Sequence, residues 1–231
     1  GLFGPKSRDM ISKICTDNFS NESFKFGSAK SIEISGIDVW AQRLSYVGEL
    51  GYELYVKTEE AKKIYELLIN KGKDFNLSNC GMHAMDIMRM ESGFLHWGQD
   101  ISPEENQYQA GLSFTISSKK EEEFIGKKAL EKIKKEKIKS RFSMFTLKNS
   151  KPGEPLLLHD EPIYLVNKII GRSTSSNYSF NFKKNLVFGY INNDISIEEL
   201  RKKDLFIEVE KKKYPIEIIN KPLKQTNFKN I

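Results

Sequence analysis

Arg43-Leu-Ser-Tyr46-Val-Gly48-Glu49-Leu-Gly51-Tyr-Glu-Leu54 sets two glycines around one carboxylate, and what flanks it decides the fold. On its N-terminal side Ile32 and Ile34, then Ile37 and Val39, stand about Ser35-Gly36, which reads as two strands around a tight turn. On its C-terminal side Tyr52 to Val56 alternates and continues that sheet. The stretch is therefore a connection between strands, where Gly48 and Gly51 let the backbone turn sharply or let a ligand approach closely. Glu49 is held at the tip of a bend and not on a strand face. A carboxylate presented like this can accept two parallel hydrogen bonds from a planar N–H pair, as an aminopyrimidinone ring offers. The plain alternative is a solvated hairpin glutamate.

Further out, Pro5 suits a first helical position, and Ile11, Ile14 and Cys15 follow at helical spacing, which predicts a helix over 5–16. Thr58 reads as the cap of a helix with Ala61, Ile64, Tyr65 and Leu68 as its buried stripe and Gly72 as its end. A second helix runs from Met82 to Glu91, with Met82, Met85 and Met88 inward as core filler. Strands followed by helices indicate an α+β layer on a mixed sheet to about residue 117. Lys119 to Ser140 reads as one lysine-rich helix with Ala129, Leu130 and Ile133 inward. Short strands are then expected over 142–147, 155–158, 163–165, 169–173, 186–191, 206–209 and 215–219, which suggests a small antiparallel barrel or roll. A capping box, Ser196-Ile-Glu-Glu199, opens one helical turn among them. The expected division is 1–117, a connecting helical segment over 118–140, and 141–231.

The net charge of +6 comes mostly from lysines, crowded over 132–141 and 211–213. Nucleic-acid binding and attraction of an anionic small molecule are two readings of that excess. A solvated face is favoured, because Glu121, Glu122, Glu123, Glu131 and Glu136 interleave and no basic and aromatic alternation occurs there. No apolar run approaches the roughly 20 residues of a membrane span, and no signal-peptide pattern opens the chain, so a cytoplasmic protein without membrane or nucleic-acid partners is expected. Cys15 and Cys80 read as buried hydrophobes, and three dispersed histidines give no metal site. The start, Gly1-Leu2-Phe3-Gly4-Pro5, reads as the tail of a strand in a chain cut from something longer.

A second candidate stretch is Met88-Arg89-Met-Glu-Ser-Gly-Phe-Leu-His-Trp97-Gly-Gln-Asp100-Ile101. Arg89 lies on an otherwise apolar helix, so its guanidinium needs a fixed partner. That partner is either a ligand carboxylate or a neighbour, Glu91 or Asp86. Trp97 with Gly98 is a ring wall or plain core.

Together with Gln109-Ala-Gly-Leu-Ser-Phe114 and Phe124-Ile-Gly-Lys-Lys-Ala-Leu130, these motifs resemble the glycine-cleavage T-protein (aminomethyltransferase) family in order and spacing. The resemblance runs from Gly4-Pro5-Lys6 to about Tyr190. Ile101-Ser-Pro-Glu-Glu-Asn106 and Asp160-Glu-Pro-Ile-Tyr164 look most like the C-terminal folate-binding region of dimethylglycine and sarcosine dehydrogenases. It implies the T-protein folate-binding fold with a C-terminal β-barrel, and tetrahydrofolate as cofactor. It also implies Glu49 as the pterin-binding carboxylate, Arg89 as an arginine associated with the folate glutamate tail, and Tyr46 and Phe114 as aromatic lining. The family's catalytic aspartate is expected upstream of this chain, so no catalytic residue is assigned within it and the fragment alone is expected to be inactive. FAD is expected only in the presumed upstream domain. The partners implied are folate and a one-carbon unit from a methylated amine, with 5,10-methylenetetrahydrofolate as product. Gln107 and Gln109 stand where many members have Pro and Glu, and serines over 172–179 replace common glycines, which leaves that loop's conformation open. Rival readings are a free-standing aminomethyltransferase, a folate-dependent demethylase, or a non-enzymatic folate-binding accessory factor. The last carries a cysteine motif that Glu123-Phe-Ile-Gly-Lys-Lys128 lacks.

Overall fold

Ser35 and Gly36, both at positive φ (52° and 78°), close the first hairpin with the twist that its strands require. A computed structural model of the chain describes residues 1–117, 122–192, 194–225 and 229–230. The strands of the first sheet are β1 (Leu2–Phe3), β2 (Ala29–Ile34), β3 (Ile37–Gln42) and β4 (Gly51–Tyr55), in the spatial order β1-β4-β3-β2. Its described pairings are all antiparallel, where the sequence pattern suggested a mixed sheet. The reason is connection length: two residues join β2 to β3 and eight join β3 to β4, too few for the crossover that a parallel pair needs.

Against this sheet pack α1 (Ser7–Ile11), α2 (Thr58–Gly72) and residues of the loop between α1 and β2. Phe19 and Tyr52 meet edge to face at 5.2 Å over a core of Ile11, Phe24, Ile34, Val39 and Ile64. The first helix is shorter than 5–16, and neither of its ends gains a side-chain cap. Nor does Thr58 cap α2: it is the first helical residue, and the cap position falls to Lys57 without a side-chain bond. Ile64 is buried as expected, but Tyr65 is half exposed. Helix α3 (Met82–Glu91) keeps its expected bounds, with Met82 exposed and not inward. Cys15 is buried and Cys80 exposed.

The chain divides into two compact units, Gly1–Phe94 with Lys224–Ile231, and Leu95–Leu223. In the second unit, α4 (Lys127–Lys135) follows Gly126 at φ 91° and is shorter than the expected 119–140, of which residues 119–121 lie outside the described residues. Leu130 and Ile133 are half-buried on it, and Ala129 is exposed. Six strands then close a barrel: β5 (Ser140–Leu147), β6 (Pro162–Leu165), β7 (Lys168–Ser179), β8 (Lys184–Asn192), β9 (Leu205–Val209) and β10 (Lys212–Ile219). Their order is β10-β5-β8-β7-β6-β9, and closure leaves no free edge. The expected strand at 155–158 is irregular, with Pro155 and Leu157 buried and Leu157 packed in the barrel core, because the closed ladder offers it no partner. The capping box at Ser196 forms both reciprocal bonds and opens α5 (Ile197–Leu200). No helix of the described residues is long and apolar enough to cross a membrane.

Candidate functional site

The Arg43–Leu50 connection between β3 and β4 is fixed from both ends. Arg43 is buried, and its guanidinium donates to the carbonyls of Phe24 (2.7 Å) and Lys229 (3.2 Å). Burial pushes this guanidinium below its ordinary pKa. The two glycines serve different needs. Gly48 has φ 66°, and a Cβ there would lie 2.0 Å from Ser92 Oγ; at Gly51 the φ is unexceptional, but a Cβ would meet Phe3 Cδ1 at 2.1 Å. Ser45 Oγ accepts from the Glu49 amide at 3.1 Å, which sets the bend carrying the carboxylate.

Glu49 lines a cavity of about 480 Å³ within the first unit, walled by Leu54, Ile64, Leu68, Met85 and Met88 among others. It is the one charged side chain among the lining residues. Its Oε1 pairs with Lys224 Nζ, and the two side chains are 25% and 12% exposed. The ammonium also donates to the Val47 carbonyl (3.4 Å), and the Lys224 amide to the Glu91 carbonyl (2.8 Å).

Arg89 is fully buried. Its Nε and Nη2 lie 2.9 and 2.7 Å from Asp86 Oδ1, and Nη1 donates to the Phe94 carbonyl at 3.1 Å. Of the two partner types the sequence left open, the neighbour Asp86 holds this guanidinium. Tyr46 stacks on Phe94 with centroids 6.4 Å apart and planes 13° from parallel. Arg89 and Tyr46 therefore converge on Phe94, while Glu49 stands at the cavity. Phe114 belongs to the second unit, on a short 3-10 turn (Ser113–Thr115), and is 81% exposed.

In that second unit Asp100 is buried and fully engaged. Its Oδ2 accepts from the His96 amide (2.9 Å), and its Oδ1 from Thr174 Oγ1 (2.5 Å) and Ser175 Oγ (2.7 Å). Successive strand residues normally face opposite ways; the register shift between Ser173 and Ser175 lets two neighbours reach one oxygen. The serines over 172–179 thus continue β7, and Ser175 with Thr174 carries the side-chain bonds to Asp100. Tyr190 donates to the Asp100 carbonyl at 2.9 Å, and burial, then the charges of Glu105 and Asp100, push its phenol up. Trp97 is exposed and lines a cavity of about 600 Å³ with His159 and Arg172, which excludes its reading as core.

Two family models match the chain: the GCVT N-terminal domain over residues 1–120 and the glycine cleavage T-protein C-terminal barrel domain over 141–224. The chain belongs to the glycine-cleavage T-protein family. Among its relatives, human dimethylglycine dehydrogenase, mitochondrial, is 34% identical over 223 residues, 96% of this chain and 25% of that protein. The aminomethyltransferase of Halothermothrix orenii is 33% identical over 193 residues, 84% of this chain and 52% of that protein. The solved structure of glycine cleavage system aminomethyltransferase T from Bartonella henselae superposes with a TM-score of 0.78 at 21% identity, covering 96% of this chain and 58% of that one. This T-protein chain thus spans about a quarter of the dehydrogenase it matches and about half of the transferase.

Sequence reasoning missed Lys224, which lies 175 positions from Glu49 and carries no local signal. It also assigned Met85 and Met88 to the core, whereas they wall the cavity. Glycines flanking Glu49 were the signal that found the carboxylate itself.

Proposed function

We propose that this chain is the tetrahydrofolate-binding, one-carbon-transfer portion of a flavin-dependent enzyme like dimethylglycine or sarcosine dehydrogenase. Glu49 carries the reading. A lone carboxylate on a largely apolar cavity wall complements a planar ring with an N–H edge, and it accepts charge-assisted bonds there that water would otherwise weaken. The methionine and leucine walls suit the ring faces, so the residues present fit the group. When bound, tetrahydrofolate supplies N5 and N10 to take up the one-carbon unit, giving 5,10-methylenetetrahydrofolate.

The chain's own part is positioning. Glu49 orients the ring. Arg89, spent on Asp86 and the Phe94 carbonyl, serves the folate by fixing the turn against which Tyr46 stacks. Phe114 offers an exposed aromatic face. No residue described here is assigned a proton-transfer step, and FAD chemistry belongs to an upstream domain. The functional division proposed is 1–117, 118–140 and 141–231, which the matched spans 1–120 and 141–224 support. A cytoplasmic setting belongs to the same proposal, although the human dehydrogenase is mitochondrial by name.

A second reading, a free-standing aminomethyltransferase, is favoured by the share of the Halothermothrix orenii relative that the chain spans. Flavin absorbance of the purified full-length protein separates the two. The proposal itself is tested by equilibrium binding of tetrahydrofolate to the full-length protein and to its Glu49→Ala variant.

A further inference from the structure

A cavity of about 1010 Å³ opens in the second unit, at the barrel end where the β5–β6 connection, the β7–β8 turn and the β9–β10 turn meet. Lys148 and Lys151 line it from the first, Lys183 and Lys184 from the second and Lys212 from the third, against Glu154 and Glu210. Two of these lysines are engaged: Lys151 lies 3.9 Å from Glu154, and Lys184 lies 3.2 Å from Glu217. Lys148, Lys183 and Lys212 are exposed and enter no ion pair among the described residues. Lys213 is not part of the lining; its ammonium donates at 3.3 Å to the Val166 carbonyl and to Asn167.

The two turns are also strained. Seven described non-glycine residues have positive φ, and three of them stand here: Lys183 (52°), Glu210 (50°) and Lys211 (63°). Glycine or asparagine adopts such angles more easily, so the fold keeps charged side chains at these tips at a conformational cost. Apolar side chains project from the same loops. Leu156, in the cavity wall, is 67% exposed, and Phe180, which opens the β7–β8 turn, is 74% exposed. A soluble acidic peptide would use the lysines and leave Leu156 and Phe180 in water. A nucleic-acid strand needs several rings along its groove, and the lining holds one, the half-buried Tyr214. Cations beside protruding apolar tips match the boundary between acidic lipid headgroups and acyl chains.

We propose that this barrel end docks on an anionic bilayer surface. Lys148, Lys183 and Lys212 meet the headgroup phosphates, while Leu156 and Phe180 enter the acyl boundary. The contact is peripheral, in keeping with a chain whose described helices are too short or too polar to span a membrane.

The full-length protein is sedimented with vesicles of phosphatidylcholine alone and with about 30% phosphatidylserine, which supplies an acidic surface. Binding should be at least about 10-fold stronger to the acidic vesicles and be lost at about 0.5 M salt. The triple variant Lys148→Gln, Lys183→Gln, Lys212→Gln should bind them about 100-fold more weakly, from about 5-fold for each lysine. Phe180→Ser should weaken binding about 10-fold and keep the salt dependence. Circular dichroism checks that each variant is folded. Lys132→Gln, Lys134→Gln, Lys135→Gln on α4 removes the same charge elsewhere and should change binding less than about 3-fold. Equal losses in the two triple variants would mean that net charge alone acts, and would overturn the proposal. So would failure to bind acidic vesicles, or Phe180→Ser without effect. Preferential binding of poly-glutamate, with the same dependence on Lys148, Lys183 and Lys212, would assign the surface to an acidic polypeptide instead.

Discussion

Both units bury full charges, Glu91 along with two arginines in the first and Asp100 in the second, but the arginines and Asp100 are held in different ways. The first buries Arg43 and Arg89, and each guanidinium fans out to separate points: Phe24 and Lys229 carbonyls for one, Asp86 and the Phe94 carbonyl for the other. The second buries Asp100, on which donors converge from a backbone amide and two hydroxyls of a bulged strand. A guanidinium has five diverging donors and suits tying loop ends together; a carboxylate only accepts, so donors must be brought to it. The difference teaches how to sort the acids. Asp100 is consumed by its fold, whereas Glu49, among the described residues, is met by one lysine and otherwise faces a cavity.

The largest effect should come from Arg89. Arg89→Met removes a cation from Asp86 and a donor from the Phe94 carbonyl. It is expected to cost about 3 kcal/mol of unfolding free energy, the low end for a broken buried pair because Asp86 keeps some water. Urea titration reads this directly, and a loss below about 1 kcal/mol would break the contrast drawn for the first unit. Asp100→Asn comes next, at about 2 kcal/mol, since it replaces charge-assisted bonds with neutral ones and turns an amide donor toward donors. A double-mutant cycle with Thr174→Val should give coupling of about 1 kcal/mol; additivity would mean that Asp100 is not the hub.

Tyr190→Phe is the mildest, at about 1 kcal/mol near neutral pH for one lost bond. The folded state holds the phenolic proton above the ordinary tyrosine value of about 10, so the unfolded chain releases it first. This contribution is complete below about pH 10 and is lost as pH rises beyond it. Tm measured from pH 9 to 11 should therefore fall more steeply in the wild type than in Tyr190→Phe.

Much of the fold could be read from local pattern. The Ser35-Gly36 turn, the bounds of α3, the capping box at Ser196 and most barrel strands follow from residues within a few positions of one another. What escaped was decided at a distance. The serines of β7 look like a loop by composition, yet a bulge and Asp100, some 75 positions away, make them strand. Leu157 looks like strand, yet the closed barrel has no edge to pair it. At the site, Glu49 was legible because flanking glycines mark backbone constraint. Lys224 was not, because an ion pair spanning 175 residues leaves no periodicity. Arg89 was legible as a residue needing a partner, and the structure shows Asp86 as one such partner.

The most direct test of the account is equilibrium binding of tetrahydrofolate to the full-length protein and its Glu49→Ala variant. Loss of one hydrogen bond to the carboxylate should weaken binding by roughly 1.5–3 kcal/mol, measured under conditions where the variant is folded, since losing the partner of Lys224 should also lower the urea midpoint. Absence of binding by the wild type, or affinity indifferent to Glu49, would contradict it and leave a T-protein fold without tetrahydrofolate at this cavity.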